Sequence, residues 1–223
     1  MDFSYILKTA VPARERLLDS GFEEKEGVLV KKVMIEDGEF YALLKLSPDE
    51  FTAEVYEAES SERYVLADVE SAAGGFVGSI REQVRKAVEG VRDECLDATD
   101  IKERYCKALA SSFGTEPDFP WADTPDYGVY RAENGKWYAL VMKIKLSCLG
   151  IKSSEKVWVV NLKADEERIP SLIDGKSIFT AYHMSHTHWI TVLLTSVTDF
   201  DSLMSLTRRS RELVMCSGKK KRR

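Results

Sequence analysis

The stretch Ala181–Val192, AYHMSHTHWITV, holds all three histidines of the chain within six residues. Clustered imidazoles can hold a metal, move protons, or serve as hydrogen-bonding groups at a turn. A tetrahedral zinc site needs three or four ligands converging at about 2 Å. On a strand His186 and His188 share a face while His183 points away. On a helix His183 and His186 are neighbours and His188 lies well round the cylinder. Only a turn between His183 and His188 could gather all three, and no Cys or carboxylate nearby in sequence offers a fourth ligand. The expectation is that the stretch binds no metal, and that His183 and His188 hydrogen-bond at a turn before a strand opened by His188 and Trp189.

Other reactive arrangements are missing from the sequence. There is no G-x-S-x-G elbow, no Walker loop and no dinucleotide glycine signature; AAGGFVG (72–78) opens a helix without the strand and spacing such a site needs. Cys95, Cys106, Cys148 and Cys216 are widely spaced, which argues for reduced thiols and against a disulfide framework or zinc knuckle. No cofactor and no catalytic residue are expected. A metal-dependent enzyme built on the histidines would need convergent side chains that the sequence does not supply.

What must position these residues is an ordinary globular chain of 223 residues, 44% hydrophobic and 31% charged, long enough for one large core or two small ones. No apolar run is long enough to span a bilayer. The N-terminus carries an acidic residue where a signal peptide needs basic ones, so a cytoplasmic protein without a membrane partner is expected. The net charge of −5 is uneven. Residues 1–100 hold 12 Lys and Arg against 23 Asp and Glu, a balance of −11; residues 101–223 hold 20 against 14, a balance of +6. Five of those positive charges are the terminal KKKRR. A nucleic-acid contact must therefore rest on local patches or that tail.

The charge changes sign near a helix start, Asp100 with Glu103 three residues on, which places a boundary at about residue 98. The fold class is α+β, two small domains each with an antiparallel sheet packed with helices: 1–97 acidic, 98–217, and a basic tail 218–223. In the first, residues 3–19 read as a helix kinked near Pro12. Asp37-Gly38 joins GVLVKKVMI to EFYALLKL as a hairpin, FTAEVYEA and RYVLADV follow as strands, and residues 74–96 form a helix burying Phe76, Ile80, Val84, Val88 (or Ala87) and Val91. In the second, a helix from Ile101 stops at Gly114. The strands are YGVYRA, KWYALVMKI, KVWVVNL and HWITVLL, with a short helix over 165–173 and a closing helix over 199–215. EDGEFYALL (36–44) aligns without gaps on ENGKWYALV (133–141). Either two hairpins obey the same turn rules, or the domains arose by duplication.

The ordered segments FPWADTPDYGVYRAENGKWYAL, VVNLKADEERIPSL, AYHMSHTHWITVLL and SLTRRSRELV resemble the MmcQ/YjbR family over about residues 101–215. The resemblance implies a CyaY-like domain, described as a "double wing" DNA-binding module, with no catalytic residue. Its signature falls here on Trp121, Gly135, Lys136, Asn161, Leu162, Lys163, Tyr182, His183, Met184, His188 and Trp189. Between His183 and His188 the family carries Asn and basic residues; Ser185, His186 and Thr187 here take positive charge out of that loop. Trp121, Trp137, Tyr138 and Trp189 are expected in the core, while Lys163 reads either as a phosphate contact or as a solvated lysine.

The resulting expectation is a binding protein without turnover. Its ligand would be duplex DNA, held weakly and non-specifically by Lys136, Lys163, His183, His186, His188, Arg208, Arg209, Arg211 and the tail. The competing reading is a protein-interaction module whose functional half is the acidic domain. A positive stripe on the second domain favours the first reading and an exposed apolar patch the second. Limited proteolysis should release a stable fragment starting near residue 98, and residues 101–217 should fold alone; an unfolded product would remove the two-core reading.

Overall fold

Every apolar run bounded by a glycine turn must find partners for its backbone amides. In this computed structural model, which describes residues 1–216, those partners are antiparallel neighbours. The chain separates into two compact units, Met1–Ala98 and the residues from Thr99 onward. The KKKRR tail lies outside the described residues.

The N-terminal unit runs Val11–Pro12 (β1), Arg14–Asp19 (α1), Glu23–Lys25 (β2), Val28–Ile35 (β3), Phe40–Leu46 (β4), Phe51–Glu57 (β5), Gly75–Cys95 (α2) and Leu96–Asp97 (β6). β2, β3, β4 and β5 are successive neighbours in one sheet. The β3–β4 turn puts Glu36, Asp37 and Gly38 at φ 48°, 51° and 94°, a run of left-handed residues that Asp and Gly tolerate best. Phe40, Ala42 and Leu44 alternate inward from β4, and Phe51, Ala53 and Val55 from β5, into one core with Ile80, Val84, Val88, Val91 and Cys95 of α2.

Three expectations for this unit are corrected. Residues 3–19 are a 3-10 turn (Ser4–Lys8), the strand β1 and the short α1, because Val11 and Pro12 pair with β6 some eighty residues on. Residues 63–69 hold a 3-10 turn, Val65–Ala67, where a strand was expected. Four carbonyls of this loop, those of Leu66, Ala67, Val69 and Ala72, accept hydrogen bonds from the single guanidinium of Arg81. The buried stripe of α2 begins at Val77, and Phe76 is 48% exposed.

The C-terminal unit runs Lys102–Phe113 (α3), Gly128–Arg131 (β7), Trp137–Lys145 (β8), Lys156–Lys163 (β9), Ile169–Leu172 (α4), Ile178–Thr180 (β10), Trp189–Leu193 (β11) and Phe200–Cys216 (α5). α3 ends at Gly114, whose left-handed backbone (φ 61°) caps it. The strand order is β10-β11-β9-β8-β7, antiparallel throughout, so both units are α+β. The edge strand β10 is an element the apolar pattern does not announce.

Strand register assigns the two faces of this sheet. Tyr130, Ala139, Val141, Val160, Leu162, Ile190 and Val192 share one face and join Tyr105 and Leu109 of α3 and Leu203, Met204 and Val214 of α5 in a core. Leu140, Met142, Val159 and Leu193 lie on the other face, also buried, beside Asn161 and Thr191. Buried polar groups fix α5 on the sheet. The Tyr105 and Thr207 hydroxyls are 2.8 Å apart, and the Ser210 hydroxyl donates to the Tyr138 carbonyl while accepting from Lys163 N–H at 2.8 Å.

Asp174 controls entry to β10. Its Oδ1 accepts the backbone N–H groups of Lys176, Ser177 and Ile178 at 2.7–2.8 Å, and its Oδ2 accepts the Ser177 hydroxyl. Burial pushes its pKa up, but these hydrogen bonds outweigh that and hold it below the usual carboxylate value. A depressed pKa adds stability that is present above the unfolded value of about 4 and lost as pH falls through the folded value. Asp174→Ala should therefore lower the urea midpoint near neutral pH, and the gap to the natural protein should close as pH drops below about 4. A gap that persists in acid would remove this role for the charge.

Candidate functional site

The registers bring the sequence-selected residues to one end of the C-terminal sheet. Ala139, Leu162 and Ile190 lie side by side across β8, β9 and β11, so Lys136 before β8, Lys163 at the end of β9 and the histidine stretch before β11 share that end. Ser210 anchors the last turns of α5 there, which brings Arg208, Arg209 and Arg211 to the same region.

The histidine stretch is a loop held from beneath by a buried ring of hydrogen bonds. Asn161 Nδ2 donates to the Tyr182 carbonyl at 2.7 Å, Thr191 Oγ1 donates to Asn161 Oδ1 at 2.6 Å, and Tyr182 N–H donates to Thr191 Oγ1 at 2.8 Å. Asn161 and Thr191 are fully buried, so the ring satisfies groups that would each be costly to leave unpaired. The loop closes through His188 and Trp189 N–H groups donating to the Ser185 carbonyl, and Ala164 N–H donating to the His188 carbonyl. The Tyr182 pKa is raised by a hydrogen bond with Cys148 and then by burial.

His183, His186 and His188 are all exposed on this frame, and Met184 is half-buried. His183 sits in the left-handed region (φ 57°) with its ring 4.0 Å from that of Tyr182. His188 Nδ1 is 3.9 Å from a Glu166 carboxylate oxygen, at the outer limit of an ion pair. Among the described residues no group of three or more His, Cys, Asp or Glu could hold a metal ion.

Two expectations about aromatic residues are corrected. Trp189 opens β11 but is only partly buried, because it faces Lys163 across the strands at the sheet end. Trp121 and Trp137 pack edge to face on each other, 5.5 Å apart, with Tyr127 against Trp121; both tryptophans are partly buried and lie outside the core that holds Tyr138. Gly135 has φ 77° and serves the β7–β8 turn.

Two arginines of α5 are already paired with carboxylates. Arg209 makes a two-pronged contact with Asp165 at 2.8 and 2.7 Å and reaches Glu212 at 3.2 Å. Arg211 pairs with Glu133 and lies over the Phe113 ring at 5.3 Å. Arg209 and Arg211 are about 200° apart around the helix, so they cannot point the same way. Each of these arginines is matched by a carboxylate of its own unit, which reduces what it adds to the local positive potential. Lys136 and Arg208 are exposed and Lys163 is half-buried. Glu166, 3.9 Å from His188, adds negative charge beside the loop.

The N-terminal unit carries a surface of another kind. Val65, Leu66, Val69 and Phe76 are 57%, 46%, 42% and 48% exposed. They belong to the loop tied to Arg81 and to the first turn of α2 that follows it. Phe76 is also fixed laterally, its ring packing edge-on against Phe40 (5.6 Å) and Tyr64 (6.3 Å).

The model of the YjbR family matches residues 110–213. YyaQ of Bacillus subtilis, described as uncharacterized, is 35% identical over 94 residues, which is 42% of this chain and 80% of that protein. A Pseudomonas syringae crystal structure is 38% identical, covering 50% of this chain and 97% of the other, with a TM-score of 0.49. A Deinococcus radiodurans structure with a DUF419 domain is 24% identical, covering 55% and 86%, with a TM-score of 0.42. The chain belongs to the YjbR family, through its C-terminal unit.

Sequence reasoning missed Thr191 and Ser210 as partners of the site. Their signal was small polar residues inside apolar runs, at strand and helix positions that face inward. The ring predicts that Asn161→Ala, which strands the Thr191 hydroxyl and the Tyr182 carbonyl, costs about 1–3 kcal/mol for each unsatisfied group. It should also speed amide exchange through residues 182–188 while the α5 amides stay protected. Unchanged exchange in the loop would show that the ring does not hold it.

Proposed function

We propose that this protein acts by binding, without turnover, and that it binds a protein partner through the apolar patch of its acidic unit. The observation that carries this reading is the exposed set of Val65, Leu66 and Val69, on a loop whose backbone is fixed in advance by Arg81, with Phe76 in the first turn of the helix that follows. Exposing apolar surface on a held frame is unfavourable unless something covers it, and grouped exposed side chains of this kind are how interfaces present themselves. Residues 1–100 carry a balance of −11, so the complementary partner is a segment with apolar anchors and basic flanks.

Duplex DNA is the second reading, and what favours it is Lys136, Lys163 and Arg208 at one sheet end together with the basic tail. Against it, Arg209 and Arg211 are already paired and Glu166 lies beside His188 in the loop. DNA held this way would bind in the non-specific range of about 10⁻⁴–10⁻⁶ M.

Peptides selected by display on the full-length protein test the two readings. Binders should combine apolar and basic residues and lose about tenfold or more on Leu66→Asp or Val65→Asp, two exposed positions outside the buried core. Selected peptides that bind both variants as well as the natural protein would remove the patch. In parallel, duplex binding at two salt concentrations should be weak. Deleting Lys219–Arg223 should take away most of a log–log slope that five charges limit to about 4.5. A steep slope that survives the deletion would instead put DNA on the folded surface.

A further inference from the structure

The C-terminal unit contains a second place where polar chemistry is left open, remote in sequence from the histidine loop. A pocket of about 280 Å³ lies between α3, the segment that follows it, and strands β7 and β8. That volume is at the small end of ligand sites, which run from about 300 Å³ upward, so it suits a molecule of roughly one ring.

The charges lining it are divided between its walls. Lys102 and Lys107 come from α3, and Glu116 and Asp126 come from the segment before β7. Among the described residues none of the four is in an ion pair. The contrast within the same unit is sharp: Arg131 pairs with Asp118, Arg209 with Asp165 and Arg211 with Glu133. Lys102 is held by an attraction of another kind, its ammonium lying 4.9 Å from the Trp158 ring centre.

Backbone constraints keep the acidic wall where it is. Asp118 and Val129 exchange two hydrogen bonds of 2.8 Å, tying the segment to β7, and the Asp118 carboxylate accepts two bonds from Arg131 at 3.1 and 2.9 Å. Gly128 permits the close approach, because a Cβ there would lie 3.1 Å from Pro117 and 3.4 Å from Phe119. The segment that carries Glu116 is thus held close to β7 at Asp118. The rest of the lining is apolar or weakly polar: Phe119 is 53% exposed at the segment, and Ala110, Val141, Cys106 and Tyr130 complete it.

We propose that this pocket binds a small zwitterion with an aromatic or other apolar middle, its anionic end on Lys102 and Lys107 and its cationic end on Glu116 and Asp126. Such a molecule satisfies both walls at once, whereas a singly charged one leaves two like charges uncompensated. Opposite charges at opposite ends of a short rigid body match lining charges that come from two different elements and are not paired with each other among the described residues. The inference is independent of the partner surface on the N-terminal unit.

The test is a titration of the full chain with 4-(aminomethyl)benzoate, followed by amide chemical shifts. Two analogues, 4-methylbenzoate and 4-methylbenzylamine, each lack one charged end. The zwitterion should saturate and shift the amides of Cys106, Gly128 and Tyr130, with each analogue weaker by about tenfold or more. In Lys107→Gln the zwitterion should fall towards the affinity of 4-methylbenzylamine, and in Asp126→Asn towards that of 4-methylbenzoate; both substitutions are at the surface and leave the fold intact. Gly128→Ala should weaken all three by displacing Pro117 and Phe119. Equal affinity for the three compounds, shifts confined to other regions, or no saturation by the zwitterion at about 10 mM would overturn the proposal.

Discussion

The amide of Asn161 is the point on which the exposed end of the C-terminal sheet depends. An Asn in the middle of the apolar run KVWVVNL would be a defect if it met only hydrocarbon. Here one end of its side chain takes the Thr191 hydroxyl and the other gives to the Tyr182 carbonyl. Because Thr191 is in β11 and Tyr182 precedes it, the same amide registers the strand and anchors the loop. Above it the loop is closed by its own backbone, through the Ser185 and His188 carbonyls, while the side chain of His188 makes only a 3.9 Å contact with Glu166.

The two units use charge in different ways. In the C-terminal unit nearly every arginine of the strand ends and of α5 is matched to a carboxylate from a distant segment, as with Arg131 and Asp118 or Arg209 and Asp165. Such exposed pairs contribute little stability. They do neutralise the surface, which is why a count of basic residues in α5 overstates its pull on a polyanion. The N-terminal unit keeps a net acidic surface and exposes apolar groups within it, the arrangement of a surface that is selective about what covers it.

How much of this could be read from residues alone varied with how local the cause was. The hairpins were legible because Asp37-Gly38 and Asn134-Gly135 dictate their turns within a few positions, and Gly114 marks the end of α3 for the same reason. Both the α+β class and the membership of the YjbR family were legible too, the second from motifs in an unbroken order. What escaped depended on distant partners. β1 exists because residues 96 and 97 lie beside it, and the loop after β5 is not a strand because Arg81 gathers its carbonyls. The phase of α2 was misjudged by one residue: Phe76 and Val77 both fit an apolar stripe, and only packing selects between them. The histidine loop was visible as a cluster, yet its support, Thr191, looked like one more strand residue.

The arrangement at Arg81 has a consequence for how the N-terminal unit fluctuates. A loop with independent anchors can fray one bond at a time, each opening small and frequent. Four carbonyls that share one guanidinium cannot do so, since rotating that single side chain away releases Leu66, Ala67, Val69 and Ala72 together. Opening is therefore a concerted and infrequent event, a local unit of folding in its own right. Between such events the apolar residues of the loop are held in one geometry, so a molecule arriving there meets a surface whose ordering entropy has already been spent during folding.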